Sequence, residues 1–292
     1  MKILLTGASS GIGSALIRRL VDNAGLEIKA MVHRSLVNIA GCEARQGDLD
    51  NPESLARAVD GVDTVVHMAA LTTSARESEY IRTNVAGTKN LMDACILTGV
   101  KRIIYISSRA ASLDGGGYSR SKLEAEECVK SSGLQWLILR PSEVYGLRED
   151  DTINRLIQWV KKYPFVPVIG KGQARLSPVY IEDVVSAMEC SILDKELESE
   201  TILLAGPEEL TFNELVDRIA KYFGVRRFKL HLPSRLVKFG AMVLTSLGVK
   251  LVVPDQIPRL LCSKDMSFSK SSELISYSPR KLEEGINAYW KD

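Results

Sequence analysis

Apolar residues in the first half of this chain come in two textures. Short unbroken runs, such as "KILLT" at 2–6 and "RIIYI" at 102–106, alternate with longer stretches in which apolar positions recur every three or four residues. An unbroken run reads as a strand covered on both faces, and the three-to-four spacing as an amphipathic helix. "KILLTG" is therefore a strand, and Ile12 to Val21 a helix with Ile12, Leu16, Ile17 and Leu20 as its apolar positions. "EIKAMVH" is a second strand. Asn51-Pro52 opens a helix, Asn as its cap and Pro in its first turn. "DTVVHMAA", "RIIYIS" and "LQWLILR" are strands, with helices over Thr83 to Leu97 and Tyr118 to Lys130 between them. Alternation of this kind to about residue 145 predicts an α/β domain built on a doubly wound parallel sheet.

Beyond "RPSEVYG" the texture changes. Residues 146–175 read as a helix and a Pro/Gly-rich loop, "SPVYIEDVVSAM" and "TILLAGP" return to strand and helix, and 206–292 is helical with polar breaks. The expected organisation is a first domain over 1–145 to which 176–205 returns, and a smaller, mainly helical lobe from 146–175 and 206–292. Within the lobe, 235–253 carries few charges and is expected to form core helices. The alternative is that Phe239 to Val249 lines a greasy substrate channel. A membrane-surface role ranks below both, because the uncharged stretch is short and holds two glycines.

Composition narrows the function classes by exclusion. Lys plus Arg is 38 and Asp plus Glu 36, a balance with no long-range pull toward nucleic acid. A small-molecule substrate is the expected partner. Five cysteines (42, 95, 128, 190 and 262) show no C-x-x-C pair, and there are only three histidines, so no metal site is expected. The apolar start before the first glycine is too short for a signal-peptide core, and the Phe239–Val249 stretch is too short to span a bilayer. A cytoplasmic protein with reduced thiols is expected.

The first strand runs straight into "TGASSGIGS", with Gly7, Gly11 and Gly13 in the turn to the first helix. Glycines there let backbone approach a ligand, and the helix N-terminus presents N–H groups and a positive dipole end to a pyrophosphate. Gly7, Ser9, Ser10, Gly11, Ile12 and Gly13 are thus candidate dinucleotide-binding residues. At the tip of the second strand, "VHRS" offers His33 and Arg34 and no acid. An acid there would bind the ribose 2′-hydroxyl of NAD, whereas Arg suits the 2′-phosphate of NADP. NADP(H) is therefore favoured over NAD(H).

Tyr118 and Lys122, four residues apart, share a helix face just after a strand that ends in Ser107-Ser108. A free tyrosine titrates near ~10, and lowering that by ~3 units requires ~4 kcal/mol of preferential phenolate stabilisation. A neighbouring ammonium and a cationic nicotinamide ring can supply it together. Ser108, at the C-terminal end of its strand, lies where open α/β sheets hold their ligands.

At this point the chain resembles the short-chain dehydrogenase/reductase family, in its extended NAD-dependent epimerase/dehydratase branch. The likeness rests on "TGASSGIGS", "GDLDNPESLARAVDGVDTVVHMAA", "NVAGTKNLMDA", "VKRIIYISS", "YSRSKLEAEE", "LRPSEVYG", "VYIEDVVSAM" and "FSKSSELISYSPRKLEEGI". It implies a Rossmann fold and hydride transfer at a C–OH/C=O carbon. Tyr118 would be the general acid or base, Lys122 the orienting cation, Ser108 the substrate-oxygen donor and Asn84 a support of the hydrogen-bond network. It also adds Asp48 and Leu49 beside adenine, and Ala69, Ala70, Ser107 and Pro141 at strand ends along the cofactor. A homodimer through the helices at Thr83–Leu97 and Tyr118–Lys130 is a family option.

Four features depart from the branch pattern. Ser10 replaces the middle glycine of G-x-x-G-x-x-G, and Arg109-Ala110 stand where dehydratases carry two acids, which argues against dehydration. Only ten positions separate Ser108 from Tyr118, so the Gly115–Gly117 run must close a short loop. The slot of a diphosphate-binding arginine falls on Leu176, with Arg175 one residue early, and a one-residue slip reverses the face. The expected functions are a nucleotide-sugar epimerase or oxidoreductase, an NADPH-dependent reductase of a hydrophobic ketone or aldehyde, or a non-catalytic nucleotide-binding subunit. Retention of Ser108, Tyr118 and Lys122 argues against the last.

Overall fold

The computed structural model describes residues 1–33, 40–146, 151–246, 254–262 and 269–290. In chain order the strands are β1 (Lys2–Thr6), β2 (Glu27–Val32), β3 (Cys42–Gln46), β4 (Thr64–His67), β5 (Arg102–Ile106), β6 (Gln135–Pro141), β7 (Val144–Tyr145), β8 (Phe165–Ile169), β9 (Arg175–Leu176), β10 (Val179–Tyr180), β11 (Glu200–Leu204), β12 (Leu210–Thr211) and β13 (Phe228–Leu232). The first six helices are α1 (Gly11–Leu20), α2 (Pro52–Val59), α3 (Glu77–Tyr80), α4 (Gly87–Thr98), α5 (Gly116–Lys130) and α6 (Thr152–Lys162). A π-helical turn over Ile81–Ala86 joins α3 to α4. The rest are α7 (Ile181–Leu193), α8 (Phe212–Tyr222), α9 (Ser234–Ser246), α10 (Gln256–Leu261), α11 (Ser269–Ile275) and α12 (Leu282–Tyr289).

Seven strands form one parallel sheet in the order β11-β6-β5-β4-β1-β2-β3. The chain starts in the middle, builds outward through β3 and then returns to β4, so the order reverses between β1 and β4. That reversal opens a crevice at the C-terminal strand ends, the place where such sheets bind ligands. This is the expected doubly wound fold with its mostly helical C-terminal region. The strands are buried for the reason their apolar runs suggest. Ile3 and Leu5 pack with Leu16, Ile17 and Leu20 of α1 on one side, and Leu4, Val65 and Ile103 pack with Leu55, Leu91 and Cys95 on the other.

Sequence reading missed β3 and β8, and also β12 and β13 within the 206–292 stretch expected to be helical. β3, "CEARQ", is an edge strand with little buried surface, so no apolar run marks it. β8 lies in the stretch read as loop and pairs in parallel with β13, well outside the main sheet. α9 also departs from expectation. Leu236, Phe239 and Met242 face outward, not into a lobe core or a channel. The remainder of the 235–253 segment, from 247 onward, lies outside the described residues.

Candidate active site

Gly7 adopts a left-handed conformation with φ +69, and a Cβ there would meet the backbone N of Ala69 at 2.7 Å. The turn therefore lies flat against the end of β4. Ser10 caps α1, its Oγ accepting from the Gly13 N–H at 3.0 Å. The first N–H groups of a helix have no partner within it. A cavity of about 320 Å³ lies at this end of α1, lined by Ser9, Ser10, Gly11, Ser14 and Arg18, with the Glu182 carboxylate of α7 at its side. A donor set of backbone amides, serine hydroxyls and one guanidinium fits a dinucleotide diphosphate.

The other candidate cofactor residues gather along the same edge of the sheet. Ala69 and Ala70 follow β4, Pro141 ends β6, and buried Leu49 packs against Gly87. Leu49 is held by its carbonyl, which accepts from Asn90 Nδ2 at 2.8 Å. At the β2 tip, His33 Nε2 lies 3.1 Å from the Asp48 carboxylate. Arg34 lies outside the described residues.

β5 and α5 bring the hydroxyl chemistry together. Ser108 follows β5 and its Oγ accepts from Ala110 N at 3.1 Å. Tyr118, in the first turn of α5, is buried, and burial raises its hydroxyl above the usual phenol range. The Arg259 guanidinium and the facing Ser108 hydroxyl pull the other way. Lys122, one turn on, is also buried; its Nζ donates to the Ile106 carbonyl at 2.8 Å and sits 4.1 Å above the Tyr105 ring. Desolvation pushes Lys122 down to about 7, and the Glu126 carboxylate partly restores the charge.

Asn84 lies in the π-helical turn, a distortion often found at functional sites. Its side chain accepts from Leu71 N at 2.7 Å and donates to the Leu71 carbonyl at 3.0 Å and to Ser121 Oγ at 2.9 Å. The residue thus ties the loop after β4 to the Tyr118 helix. Ser107 sits beside Ser108 but turns inward, donating to Glu126 Oε1 at 2.5 Å.

Three groups escaped the sequence reading. The first is Glu126, fully buried, which accepts from Arg140 at 2.8 and 2.6 Å. Its signal was present, since Tyr118, Lys122 and Glu126 are successive i+4 positions on α5. The second is His67, whose ring bridges the hydroxyls of Thr6 at 2.7 Å and Thr88 at 2.9 Å. Burial, then the Lys122 charge, lower His67 to about 3, so its ring is neutral. The third is Arg259 of α10, stacked 4.5 Å over the Tyr118 ring. Its neighbour Asp255 accepts from the Gly117 N–H at 2.6 Å. No local pattern announces these last contacts, which join positions about 140 residues apart.

Residues 3–205, more than half of the chain, match the NAD dependent epimerase/dehydratase family. The chain belongs to that family. The resemblance read from the motifs is correct. A curated relative is the 3beta-hydroxysteroid-dehydrogenase/decarboxylase isoform 1 of Arabidopsis thaliana, 27% identical over 82% of this chain and 64% of the relative. This chain thus spans under two thirds of that relative's length. The solved structure of MoeE5 in complex with UDP-glucose and NAD has a TM-score of 0.77 at 25% identity, covering 99% of this chain and 97% of its own. The UDP-glucuronic acid 4-epimerase from Bacillus cereus, in complex with UDP-glucuronic acid and NAD, shares the fold with a TM-score of 0.78 at 24% identity, over 100% and 98% of the two chains.

These matches correct the NADP(H) preference. The family is NAD-dependent and the matching complexes hold NAD. The physical reason is that the acid missing from the end of β2 comes from the segment just after β3. Asp48, just after β3, brings its carboxylate to within 3.1 Å of His33 Nε2, so the tip of β2 does carry an acid.

The departures from the family pattern take a definite form. Arg109 is buried, donating to Glu143 Oε1 at 3.0 Å and to the Arg175 carbonyl at 3.1 Å. Leu176 is buried in the core, whereas the Arg175 side chain is exposed and pairs with Glu209 at 3.1 Å. Among the described residues, no group of three or more His, Cys, Asp or Glu side chains is placed to hold a metal. No described helix is long and apolar enough to cross a membrane.

Proposed function

We propose that this protein is an NAD-dependent oxidoreductase/epimerase acting at a C–OH/C=O carbon of a nucleotide-sugar. The observation that carries the reading is the meeting of Ser108 and Tyr118 at the C-terminal end of β5, with buried Lys122 one helical turn away. Bound NAD would supply the hydride acceptor and donor. Tyr118 moves the hydroxyl proton, and Ser108 hydrogen-bonds the reacting oxygen. Against burial, the Arg259 guanidinium and the Ser108 hydroxyl favour the phenolate, and the Lys122 ammonium one turn along would add to them. Asn84 holds the loop at Leu71 against α5, and the α1 N-terminus takes the cofactor diphosphate. The UDP-sugar complexes of MoeE5 support the substrate class.

A second reading has its own observation. Leu176 buried and Arg175 paired with Glu209 leave the usual arginine slot without a cation, which suits a hydrophobic carbonyl substrate. The hydroxysteroid name of the Arabidopsis relative supports the same alternative.

Both readings meet one experiment. The protein is incubated with NAD and UDP-glucose or UDP-glucuronic acid, following sugar epimers by NMR, and separately with NADH and a steroid ketone, following absorbance. Tyr118→Phe should lower turnover about 10²–10⁴-fold while NAD binding persists. Turnover unaffected by that change would remove Tyr118 from the chemistry, and turnover only of the ketone would exchange the first reading for the second.

A further inference from the structure

The lobe carries a surface that hydride transfer does not use. β8 and β13 form a two-stranded parallel ribbon in which Phe228 lies opposite Phe165, and Leu230 opposite Pro167. Val166 and Val168 face the interior, yet Phe165, Pro167, Phe228 and Leu230 are all exposed, Phe228 at 70%. Parallel strands ordinarily have both faces covered. Here one face is apolar and bare. The Phe165 and Phe228 rings pack on each other at 5.8 Å, so the ribbon presents a joined aromatic surface.

One residue after β13, α9 repeats the arrangement. Leu236 and Phe239, three residues apart, are 67% and 66% exposed, and Met242 continues the stripe. Arg235 and Lys238 lie on the same outward arc, both exposed. Trp159 and Tyr163 at the end of α6, with rings 4.7 Å apart, stand beside the start of β8 and are also partly bare.

Charge identifies the occupant. The chain as a whole is nearly neutral, but residues 218–254 hold eight Lys or Arg and no Asp or Glu. Of these, Lys229 is paired with Asp217, and Arg218 with Glu208 and Glu283. Arg226, Arg235 and Lys238 are exposed cations among the bare apolar side chains. Exposed Phe and Leu interleaved with Lys and Arg, flanked by Trp and Tyr, match a surface that lies in a lipid interface. A second copy of the chain would bring the same cations to face one another.

We infer that the β8–β13 ribbon and α9 dock this enzyme on an anionic lipid surface. The apolar side chains enter the headgroup boundary, and Arg226, Arg235 and Lys238 meet lipid phosphates. The inference is independent of the substrate reading, because none of these residues belongs to the site at β5 and α5.

The test is co-sedimentation of the full chain with vesicles of phosphatidylcholine, alone or with about one-third phosphatidylglycerol. Binding is expected only to the anionic vesicles, and it should weaken as salt rises. The double variants Phe228→Ser/Phe239→Ser and Arg235→Glu/Lys238→Glu should each reduce the bound fraction about tenfold or more. Both should keep the melting temperature and NAD binding of the parent, which separates loss of docking from loss of fold. No binding to anionic vesicles at low salt overturns the inference. So does equal, salt-insensitive binding to both vesicle types. A dimer that dissociates in Phe228→Ser/Phe239→Ser, without vesicle binding, would assign the surface to a second copy, and oligonucleotide binding in place of vesicles would assign it to nucleic acid.

Discussion

Glu126 lies one turn beyond Lys122 on α5 and is fully buried, with two bonds from Arg140 and one from Ser107. Its negative charge holds up the Lys122 ammonium against desolvation. In Glu126→Gln that support is gone and Lys122 loses its proton at lower pH. The alkaline limb of kcat/KM should then move to lower pH, and Glu126→Asp should restore part of the range. A profile superimposable on the parent's would show that Glu126 only fills space. His67 gives a stability prediction of defined sign. Its folded value of about 3 lies below the ordinary 6.5, so the unfolded chain binds the proton more readily. The stabilisation is complete above 6.5 and is lost as pH falls toward 3, on the order of 4–5 kcal/mol in all. Urea midpoints measured from pH 7 down to 4 should fall steeply in the parent and less steeply in His67→Gln. Equal slopes would mean that another group governs acid sensitivity. At this scale the meeting of Tyr118, Lys122 and Ser108 was legible because the first two are i+4 neighbours on one helix face and Ser108 follows the preceding strand. Arg259 was not, because its contact depends on how a distant helix packs.

The N-terminus of α5 shows how an element is held in place. Gly116 has φ +88, a conformation that side chains resist, and a Cβ there would press on the Asp255 carboxylate. That carboxylate accepts from the Gly117 N–H and so clamps α10 to the start of the Tyr118 helix. Gly116→Ala should cost about 1–3 kcal/mol. It should also raise KM more than it lowers kcat, because it displaces α10 before it displaces Tyr118. Unchanged melting and KM would mean that the short loop tolerates another closure. The triple glycine was visible as a device for closing a short loop. What it closes against was not. Helices with a clear apolar period were equally plain, and Asn51 caps α2 as its motif suggests, accepting from Ser54 N at 3.0 Å. The π-helical turn at the start of the expected Thr83–Leu97 helix was invisible, since one wider turn barely disturbs the apolar spacing.

For the molecule as a whole, alternation of apolar runs and amphipathic stretches was enough to specify a doubly wound parallel sheet. Such a pattern states what each segment must bury, and few topologies bury it all. The glycine turn and the Tyr-Lys pair then located the crevice, because both occupy strand-to-helix junctions at one end of that sheet. Cofactor preference was misread for a spatial reason. The acid at the β2 tip is Asp48, which the chain supplies from just beyond the following strand. The faces of β8, β13 and α9 were likewise beyond sequence reading, since an apolar run looks the same whether covered or bare. The chain by itself determined the sheet, the glycine turn at the start of α1 and the meeting of Ser108, Tyr118 and Lys122, because each is encoded within a few neighbouring residues. Only the tertiary structure decided which acid stands beside the β2 tip, which arginine stacks on Tyr118 and which apolar face stays open, because those depend on segments far apart in sequence that meet only on folding.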